Sequence, residues 1–253
     1  MSTMSSLTDL IDLPAKSLIS IVGAGGKTTT MYTLAGELAQ RGKRVITTTT
    51  TQIFFPGPGE TDTLIVAAEM PSILKLASAA LKQHHRVTVA AAPGRSTKLA
   101  GLGPEQPYQL LMKSGADAVI VEADGARHRM IKAPAEHEPV VPPQTNVALL
   151  MMSAEAINQP LNAQVAHRPE HVAGVAGINL GAILTPSAIA RLMTSDQGAF
   201  KNIPETAATY LLITHSTMTG REAIQELISL VRLSPRIAGV LSSTNSGEWR
   251  DIS

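Results

Sequence analysis

The residues from Gly23 to Thr29 have the types and the spacing of a phosphate-binding loop. They read Gly-Ala-Gly-Gly-Lys-Thr-Thr and lie between an apolar run, residues 18–22, and a stretch with helical spacing of apolar residues. A strand, a glycine-rich turn that ends in Lys-Thr, and a helix form the arrangement that binds nucleotide phosphates. Glycines let backbone N–H groups surround an anion, and the helix N-terminus adds partial positive charge.

The loop therefore predicts how each of its residues would contact a nucleotide. We expect Lys27 to reach the β- and γ-phosphates and the Thr28 hydroxyl to hold Mg²⁺. The full pattern requires a glycine five residues before Gly26, where this chain has Ile21, so the loop is a shortened variant. The alternative is a glycine-rich turn with an incidental lysine, which the flanking strand and helix disfavour. The expected binding residues are Gly23, Ala24, Gly25, Gly26, Lys27, Thr28 and Thr29.

Two carboxylates follow a second apolar run and are candidates for metal binding and catalysis. The run is residues 118–121, and Glu122 and Asp124 come directly after it. An acid at the carboxyl end of a parallel strand, beside a phosphate loop, orients Mg²⁺ or a water. Alternate residues of an extended backbone point the same way, so both carboxylates are expected to share one side. We assign catalytic roles to both acids and to Lys27; the alternative is a turn at Asp124-Gly125.

Three further polar stretches are weaker candidates. Residues 47–51 are all threonine and end a predicted strand, so Thr49 is a candidate for contact with phosphate or Mg²⁺, although threonine is also common strand filler. Residues 95–101 and 132–139 carry polar groups among Gly and Pro. Their chemistry alone favours solvated loops over sites.

The chain alternates between predicted strands and helices. Strands are predicted over residues 18–22, 44–50, 64–67, 87–91, 118–121, 147–152, 210–214 and 237–241. Helices are predicted over residues 29–40, 72–82, 108–113, 186–193 and 221–231. Continuous apolar strands suit a parallel sheet covered on both faces, which predicts an α/β, doubly wound, mostly parallel sheet of the P-loop NTPase type. Residues 1–253 are expected to form one domain, with a more helical insertion or lid at about 154–205.

Composition limits the functions that the chain can have. Its 253 residues carry a net charge of +1, with 44% hydrophobic and 3% aromatic residues, so we expect no nucleic-acid partner. No signal peptide or membrane span is visible, and a cytoplasmic location is expected. The chain has no cysteine, so it lacks a thiolate that could carry sulfur or selenium covalently.

A zinc-protease pattern is present but its local sequence argues against it. Residues 167–171 spell His-Arg-Pro-Glu-His. A proline inside a helix costs about 3 kcal/mol, and if Pro169 instead begins the helix, His167 lies outside it. In either case His167 and His171 do not share one helical face, so we expect no zinc site there.

The order of these motifs closely resembles the YqeC family, proposed accessory proteins of selenium-dependent hydroxylases. The resemblance covers nearly the whole chain and rests on residues 22–29, 47–51, 98–102, 122–126, 132–139 and 167–170 and on the 184–186 turn. It implies a link to molybdenum hydroxylases and the maturation of their cofactor. It also implies a cofactor-binding role, rather than a place in a solvated loop, for four residues: Lys98, Lys132, Glu136 and Glu138.

One departure from the family bears on the nucleotide. Family members often carry an Asn-Lys-x-Asp-like string after the late strand, whereas this chain has Thr-His-Ser-Thr at 214–217. The carboxylate that would pair with guanine is absent, so we expect ATP rather than GTP.

The sequence thus predicts a Mg²⁺-dependent ATP-binding protein, with hydrolysis, that helps to mature a selenium-dependent molybdenum hydroxylase. A kinase or adenylyltransferase acting on a cofactor or its precursor is one alternative. A non-catalytic, nucleotide-gated chaperone is another. A Mur-like ligase is weaker, because no stretch resembles the amino-acid domain of those enzymes.

Overall fold

The computed structural model describes residues 5–91, 97–216, 220–244 and 248–253. Its strands are β1 (Ser17–Gly23), β2 (Val45–Thr49), β3 (Gln52–Phe54), β4 (Thr63–Val66), β5 (Arg86–Ala90), β6 (Lys98–Ala100), β7 (Ala118–Glu122), β8 (Ile131–Lys132), β9 (Val147–Ser153), β10 (Ala166–His167), β11 (Ala208–Thr214), β12 (Ile237–Ser243) and β13 (Trp249–Asp251). Its helices are α1 (Leu7–Leu10), α2 (Lys27–Gln40), α3 (Met70–Ala80), α4 (Gln106–Lys113), α5 (Pro169–Ala176), α6 (Pro186–Thr194) and α7 (Arg221–Val231).

Within the described residues, nine strands form one sheet in the order β13-β12-β11-β9-β1-β7-β2-β5-β4. Every pairing in it is parallel except that of β12 with β13 at one edge. Strand β1 lies at the centre, between β7 and β9. The carboxyl ends of β1, β2, β7 and β9 therefore lie at the same edge of the sheet, where doubly wound proteins bind ligands.

Helices cover both faces of this sheet. Along β1, Leu18 and Val22 belong to the apolar core that also contains residues of α3, α4, α6 and α7. Ile19 and Ile21 point into the opposite core, which contains residues of α1 and α2. Burying each such side chain contributes about 1.5–3 kcal/mol, which is why a central strand of a two-faced sheet is apolar almost throughout. The α/β, doubly wound, mostly parallel fold predicted from the sequence is confirmed.

The main predicted elements are present, with ends shifted by up to two residues. Helix α2 begins at Lys27, two residues before the predicted start, and is followed by Gly42 at φ +76°. A glycine in left-handed backbone is a common helix end, and Gly42 ends α2 in this way. Helix α6 has Pro186 in its first turn, and the Thr185 side chain caps it by accepting from the Ala188 N–H.

Other elements have short sequence signals and were not predicted. Strand β3 pairs antiparallel with β6, and β8 pairs parallel with β10, both outside the main sheet. The interpretation of residues 98–100 as a solvated loop is wrong, because they form β6 and its central Leu99 is fully buried. The same interpretation is wrong for Lys132, which lies buried in β8. Residues 92–96, which include Arg95 and Ser96, lie outside the described ranges.

The region between β9 and β11 contains a short 3-10 helix (Ala154–Ala156), β10, α5 and α6. Its buried residues Leu161, Val172, Ile189 and Phe200 belong to the same apolar core as one face of the sheet. Its role as an insertion or lid stays a prediction. In the part of the chain that the structure describes, no helix combines the length and apolar character needed to cross a bilayer.

Candidate functional site

The loop after β1 is held against the end of β9 by its glycines. Gly23 has φ +100°, and a Cβ there would lie 2.2 Å from the Met151 carbonyl oxygen. Gly25 has φ +83°, and its Cβ would lie 2.6 Å from the Ser153 backbone nitrogen. Only glycine tolerates both the left-handed backbone and this close approach. The loop therefore needs these glycines even though Ile21 replaces the first glycine of the full pattern.

The backbone N–H groups of the loop divide into two sets. Those of Ala24 and Gly25 donate to carbonyl oxygens of neighbouring segments, at 2.9 and 3.1 Å, and so fix the loop. The first bond of the helical ladder is from Thr30 N–H to the Gly26 carbonyl, at 2.9 Å. The N–H groups of residues 26–29 have no acceptor among the described residues. Four free N–H groups at the start of a 14-residue helix form an anion-binding site of the phosphate-loop kind.

The Lys27 ammonium lies over the loop and contacts Asp124. Its Nζ donates to the Gly23 carbonyl at 2.7 Å and lies 3.2 Å from Asp124 Oδ1, with both side chains buried. Asp124 Oδ2 accepts from the Gly23 N–H at 3.1 Å. Asp124 thus contacts both ends of the loop, which holds Lys27 beside the free N–H groups.

Glu122 contacts the other functional side chain of the loop. The Thr28 hydroxyl donates to Glu122 Oε2 at 2.6 Å. The Thr49 hydroxyl donates to the Glu122 carbonyl at 2.7 Å and so fixes the end of β7 against β2. Burial raises the pKa of Glu122, and the nearby Lys27 charge and the Thr28 hydroxyl oppose that rise. Both acids reach the loop, as their alternation along the strand predicts.

The oxygens at this edge of the sheet suit Mg²⁺. The Thr28 hydroxyl and the Glu122 carboxylate are adjacent, and oxygen atoms of this kind are the ligands that Mg²⁺ prefers beside substrate phosphates. Asp124 Oδ1 is buried and lies 3.2 Å from Lys27 Nζ, so this carboxylate is ion-paired within the protein and the oxygens for a cation come from Thr28 and Glu122. The residues present therefore fit a nucleotide-bound Mg²⁺. Within the same residues no cluster of three His, Asp or Glu could hold a metal ion by itself.

Lys132 connects the loop to the rest of the site. Its buried ammonium donates to Glu138 Oε2 and to the Gly125 carbonyl, both at 2.8 Å, and lies 2.9 Å from Asp124 Oδ2 in an ion pair. These three contacts surround the ammonium within the protein. This geometry gives Lys132 a positioning role rather than direct contact with a ligand.

The chain of opposite charges continues from Lys132 to Arg168. Glu138 accepts from Arg168 Nη1 at 2.5 Å and from Nη2 at 3.2 Å. Burial would raise the pKa of Glu138, but the hydrogen bonds and charges of Arg168 and Lys132 lower it to about 2. Glu138 therefore stays ionised at neutral pH and holds Arg168 in place.

A cleft of about 740 Å³ opens in front of these groups. It is lined by loop residues 25–29, by Glu122 and Glu138, by residues 51–54 and Lys98 on one side, and by residues 125–129, 167 and 168 on the other. Its size is within the range of about 300–1,000 Å³ that is typical of small-molecule sites. The two sides meet where the rings of Phe54 and His128 stack, with centroids 6.0 Å apart.

The predicted site residues are placed differently with respect to this cleft. The structure brings together Lys27, Thr28, Glu122, Asp124, Lys132 and Glu138. Thr29 and Lys98 line the cleft, with Lys98 Nζ 4.6 Å from the Phe54 ring centroid. Thr49 is buried and bonded to the Glu122 backbone. Glu136 is exposed and is not among the residues that line the cleft, and its carbonyl accepts from Lys201 Nζ.

Sequence reasoning missed the basic side of the cleft. Arg127, His128 and Arg129 line it and follow directly after the turn that ends β7. Both Arg127 and His128 have left-handed backbone, with φ of +48° and +57°. Three consecutive basic residues after a carboxylate-bearing strand were the available signal.

The structure also shows where the zinc-protease pattern and the residues at 214–217 lie. Pro169 lies at the start of α5, so His167 is on β10, outside the helix that carries His171. The Thr214 hydroxyl donates to the Gly25 carbonyl at 2.7 Å, which joins the end of β11 to the loop. Thr217, the last residue of the base-recognition string, lies outside the described ranges.

A central parallel strand, a glycine loop with free N–H groups, a lysine, a threonine and a carboxylate at one sheet edge define an α/β protein with a phosphate-binding loop. The chain belongs to the YqeC family, as its motifs predicted. The model of that family, described as YqeC protein, matches residues 19–170. The YqeC protein of Escherichia coli (strain K12) is 33% identical to it over 209 residues, which is 80% of each chain.

A solved structure is also similar to the chain. The signal recognition particle 54 kDa protein of Aeropyrum pernix K1, in complex with GDP, matches 96% of this chain with a TM-score of 0.44 and 16% identity. The chain spans 45% of the length of that protein. The fold assignment rests on the sheet order and the loop, to which a likeness of this degree adds nothing.

The buried charge chain predicts the effect of Glu138→Gln. At pH 7 the change removes the carboxylate that pairs with Arg168 and leaves Lys132 with Asp124 as its counter-charge, and breaking a buried pair in this way costs about 3 kcal/mol of unfolding free energy. The pKa of Glu138 is lowered from 4.5 to about 2 on folding, so its contribution is full above pH 4.5 and is lost as the pH falls towards 2.

Urea unfolding of parent and variant, at pH 7 and at pH 3, measures this contribution. The difference between them should be large at pH 7 and smaller at pH 3. Glu136→Gln, an exposed neighbour, is the matched control and should match the parent at both pH values. Equal stabilities of parent and Glu138→Gln at pH 7 would show that the charge chain does not stabilise the fold.

Proposed function

We propose that this protein binds Mg²⁺-ATP on residues 23–29 and hydrolyses it. The observation that carries the proposal is the Thr28–Glu122 hydrogen bond of 2.6 Å directly beside four free loop N–H groups. Free N–H groups supply the phosphate contacts, and the paired hydroxyl and carboxylate supply oxygens for a cation. A loop that was only a turn would need neither.

Each residue of the site has its own role in binding or hydrolysis. The N–H groups of residues 26–29 hold phosphate oxygens, and Lys27 adds a positive charge where negative charge develops. Thr28 and Glu122 would hold Mg²⁺, which supplies charge neutralisation between phosphates when bound. Asp124, which is ion-paired with Lys27 and Lys132 and accepts from the Gly23 N–H, would hold Lys27 in position for that role. Lys132 and Thr49 keep the two acids in position.

We assign ATP rather than GTP as the nucleotide. The support is the sequence at 214–217, which lacks a carboxylate to accept from the guanine N1–H and N2–H groups. Without such an acceptor GTP should bind no more tightly than ATP. Competition binding checks this choice, and a preference for GTP of more than about tenfold, or about 1.4 kcal/mol, would contradict it.

The biological role that we infer is in maturing a selenium-dependent molybdenum hydroxylase. Its support is membership of the YqeC family, with the role that the sequence resemblance implied. Because the chain has no cysteine, it would supply phosphoryl energy or a conformational gate while another protein carries the chalcogen.

A second candidate is transfer of a phosphoryl or adenylyl group to an acceptor. The observation that favours it is the size of the cleft, which extends past the loop to residues 127–129 and 167–168. The products separate the candidates, because hydrolysis alone leaves ADP and phosphate whereas transfer leaves a modified acceptor. A nucleotide-gated chaperone would bind ATP with little turnover.

Two variants separate binding from turnover. Lys27→Ala should abolish Mg²⁺-ATP binding in isothermal titration, because it removes the cation aimed at the phosphates. Glu122→Gln should keep ATP binding within a few-fold but lower hydrolysis by about 10²–10³, the typical cost of losing one transition-state electrostatic group.

Lys43→Ala is the control for the first variant, since Lys43 is an exposed lysine just after α2. Both variants should keep the far-UV circular dichroism of the parent. Unchanged ATP affinity in Lys27→Ala would refute the phosphate-loop assignment. A turnover rate in Glu122→Gln equal to that of the parent would show that this carboxylate has only a structural role.

A further inference from the structure

A second pocket adjoins the cleft on the side away from the loop. It has a volume of about 270 Å³ and is lined by Arg127, Arg129, His167 and Arg168 together with small apolar residues. These four residues also line the main cleft, so the two spaces adjoin each other. None of the loop residues 23–29 lines the second pocket. We call this space, with its three arginines, the basic pocket.

Arg168 is held in place before any ligand arrives. Two of its N–H groups are used by Glu138, and Glu138 is in turn fixed by the buried Lys132. A guanidinium has five N–H donors, so three remain for a ligand. Arg168 also has left-handed backbone, with φ +58°, immediately before α5. A non-glycine residue held in this conformation is a feature that clusters at ligand sites.

Arg127 and Arg129 have no counter-charge in the part of the chain that the structure describes. Neither lies within 4.0 Å of a carboxylate oxygen among the described residues. The loop that carries them is nevertheless fixed. The Arg129 carbonyl accepts from the Gly25 N–H at 3.1 Å, and the His128 ring stacks on Phe54. Two unpaired guanidinium groups are therefore presented from a segment attached directly to the phosphate loop.

The charge of the joined spaces is strongly unbalanced. Glu122 and Glu138 are the carboxylates that line them within the described residues, and each is already bonded, to Thr28 and to Arg168 and Lys132 respectively. Arginine groups in a concave site, with donors left over, select planar or tetrahedral oxyanions. An anion of this kind would complete the basic pocket.

We propose that the basic pocket binds a second, phosphate-bearing small molecule, next to the nucleotide on the loop. The proposal rests on the proposed function in one respect: the nucleotide bound on the neighbouring loop is taken to be ATP. It assigns Arg127, Arg129 and Arg168 as the residues that recognise the phosphate group. Phosphate is favoured over a single carboxylate because three arginines line one small volume.

Isothermal titration with inorganic pyrophosphate tests the proposal. The probe is added to parent protein that is already saturated with Mg²⁺ and AMP-PNP. We expect about one pyrophosphate per chain, bound at least tenfold more weakly by Arg127→Gln/Arg129→Gln, a loss of about 1.4 kcal/mol. The matched control is Arg221→Gln/Arg232→Gln, two exposed arginines of the α7 region, which should bind as the parent does.

Lys27→Ala prevents pyrophosphate from binding to the phosphate loop, so that only binding to the basic pocket is measured. That variant, without nucleotide, should bind pyrophosphate as the AMP-PNP-saturated parent does, and lose it when Arg127→Gln/Arg129→Gln is added. This arm stays informative if AMP-PNP fails to bind the parent, a result that would count against the proposed function alone. Absence of pyrophosphate binding in both arms, or unchanged binding in Arg127→Gln/Arg129→Gln, would overturn the basic pocket. So would loss of AMP-PNP affinity in that variant without any additional pyrophosphate site, because the arginines would then serve the nucleotide.

Discussion

The site depends on one buried ammonium group. Lys132 is almost inaccessible to solvent, donates to the Gly125 carbonyl and to Glu138, and is ion-paired with Asp124. Removing such a charge from water costs several kcal/mol, so it is tolerated only where acceptors surround it completely. The consequence is that the turn after β7 and residues 132–138 must keep one arrangement. Through Asp124 that arrangement extends to Lys27, and through Glu138 to Arg168.

The parallel sheet makes this convergence possible. The ends of β1, β2, β7 and β9 meet at one edge, so short side chains from each strand reach a common space. Strand β9 packs against the glycines of the loop, and the Thr49 hydroxyl of β2 donates a hydrogen bond to the end of β7. The Thr28 hydroxyl, at the same helix start as the N–H groups of residues 26–29, is thereby held on the Glu122 carboxylate. Preorganised groups of this kind need little rearrangement when charge develops.

The sequence predicted the sheet and the central part of the site because their signals are local. Apolar runs and glycine punctuation located most of the strands and helices, and the Gly-Lys-Thr-Thr string located the loop. Lys132 and Glu138 gave no local signal, since a lysine among prolines looks solvated until its acceptors are known; they were predicted through family resemblance alone. Arg127 and Arg129 were missed, because their role depends on the pocket formed with Arg168, more than 35 residues later. Only the fold brings these segments together.

The most direct test of the account is a crystal structure with AMP-PNP and Mn²⁺ in place of Mg²⁺, with the metal located by its anomalous scattering. We expect the phosphates on the N–H groups of residues 26–29 and the anomalous peak bonded to Thr28 Oγ1, with the Glu122 carboxylate beside it. Phosphates bound elsewhere, or a metal site that does not include Thr28, would contradict the assignment of this loop as the nucleotide site.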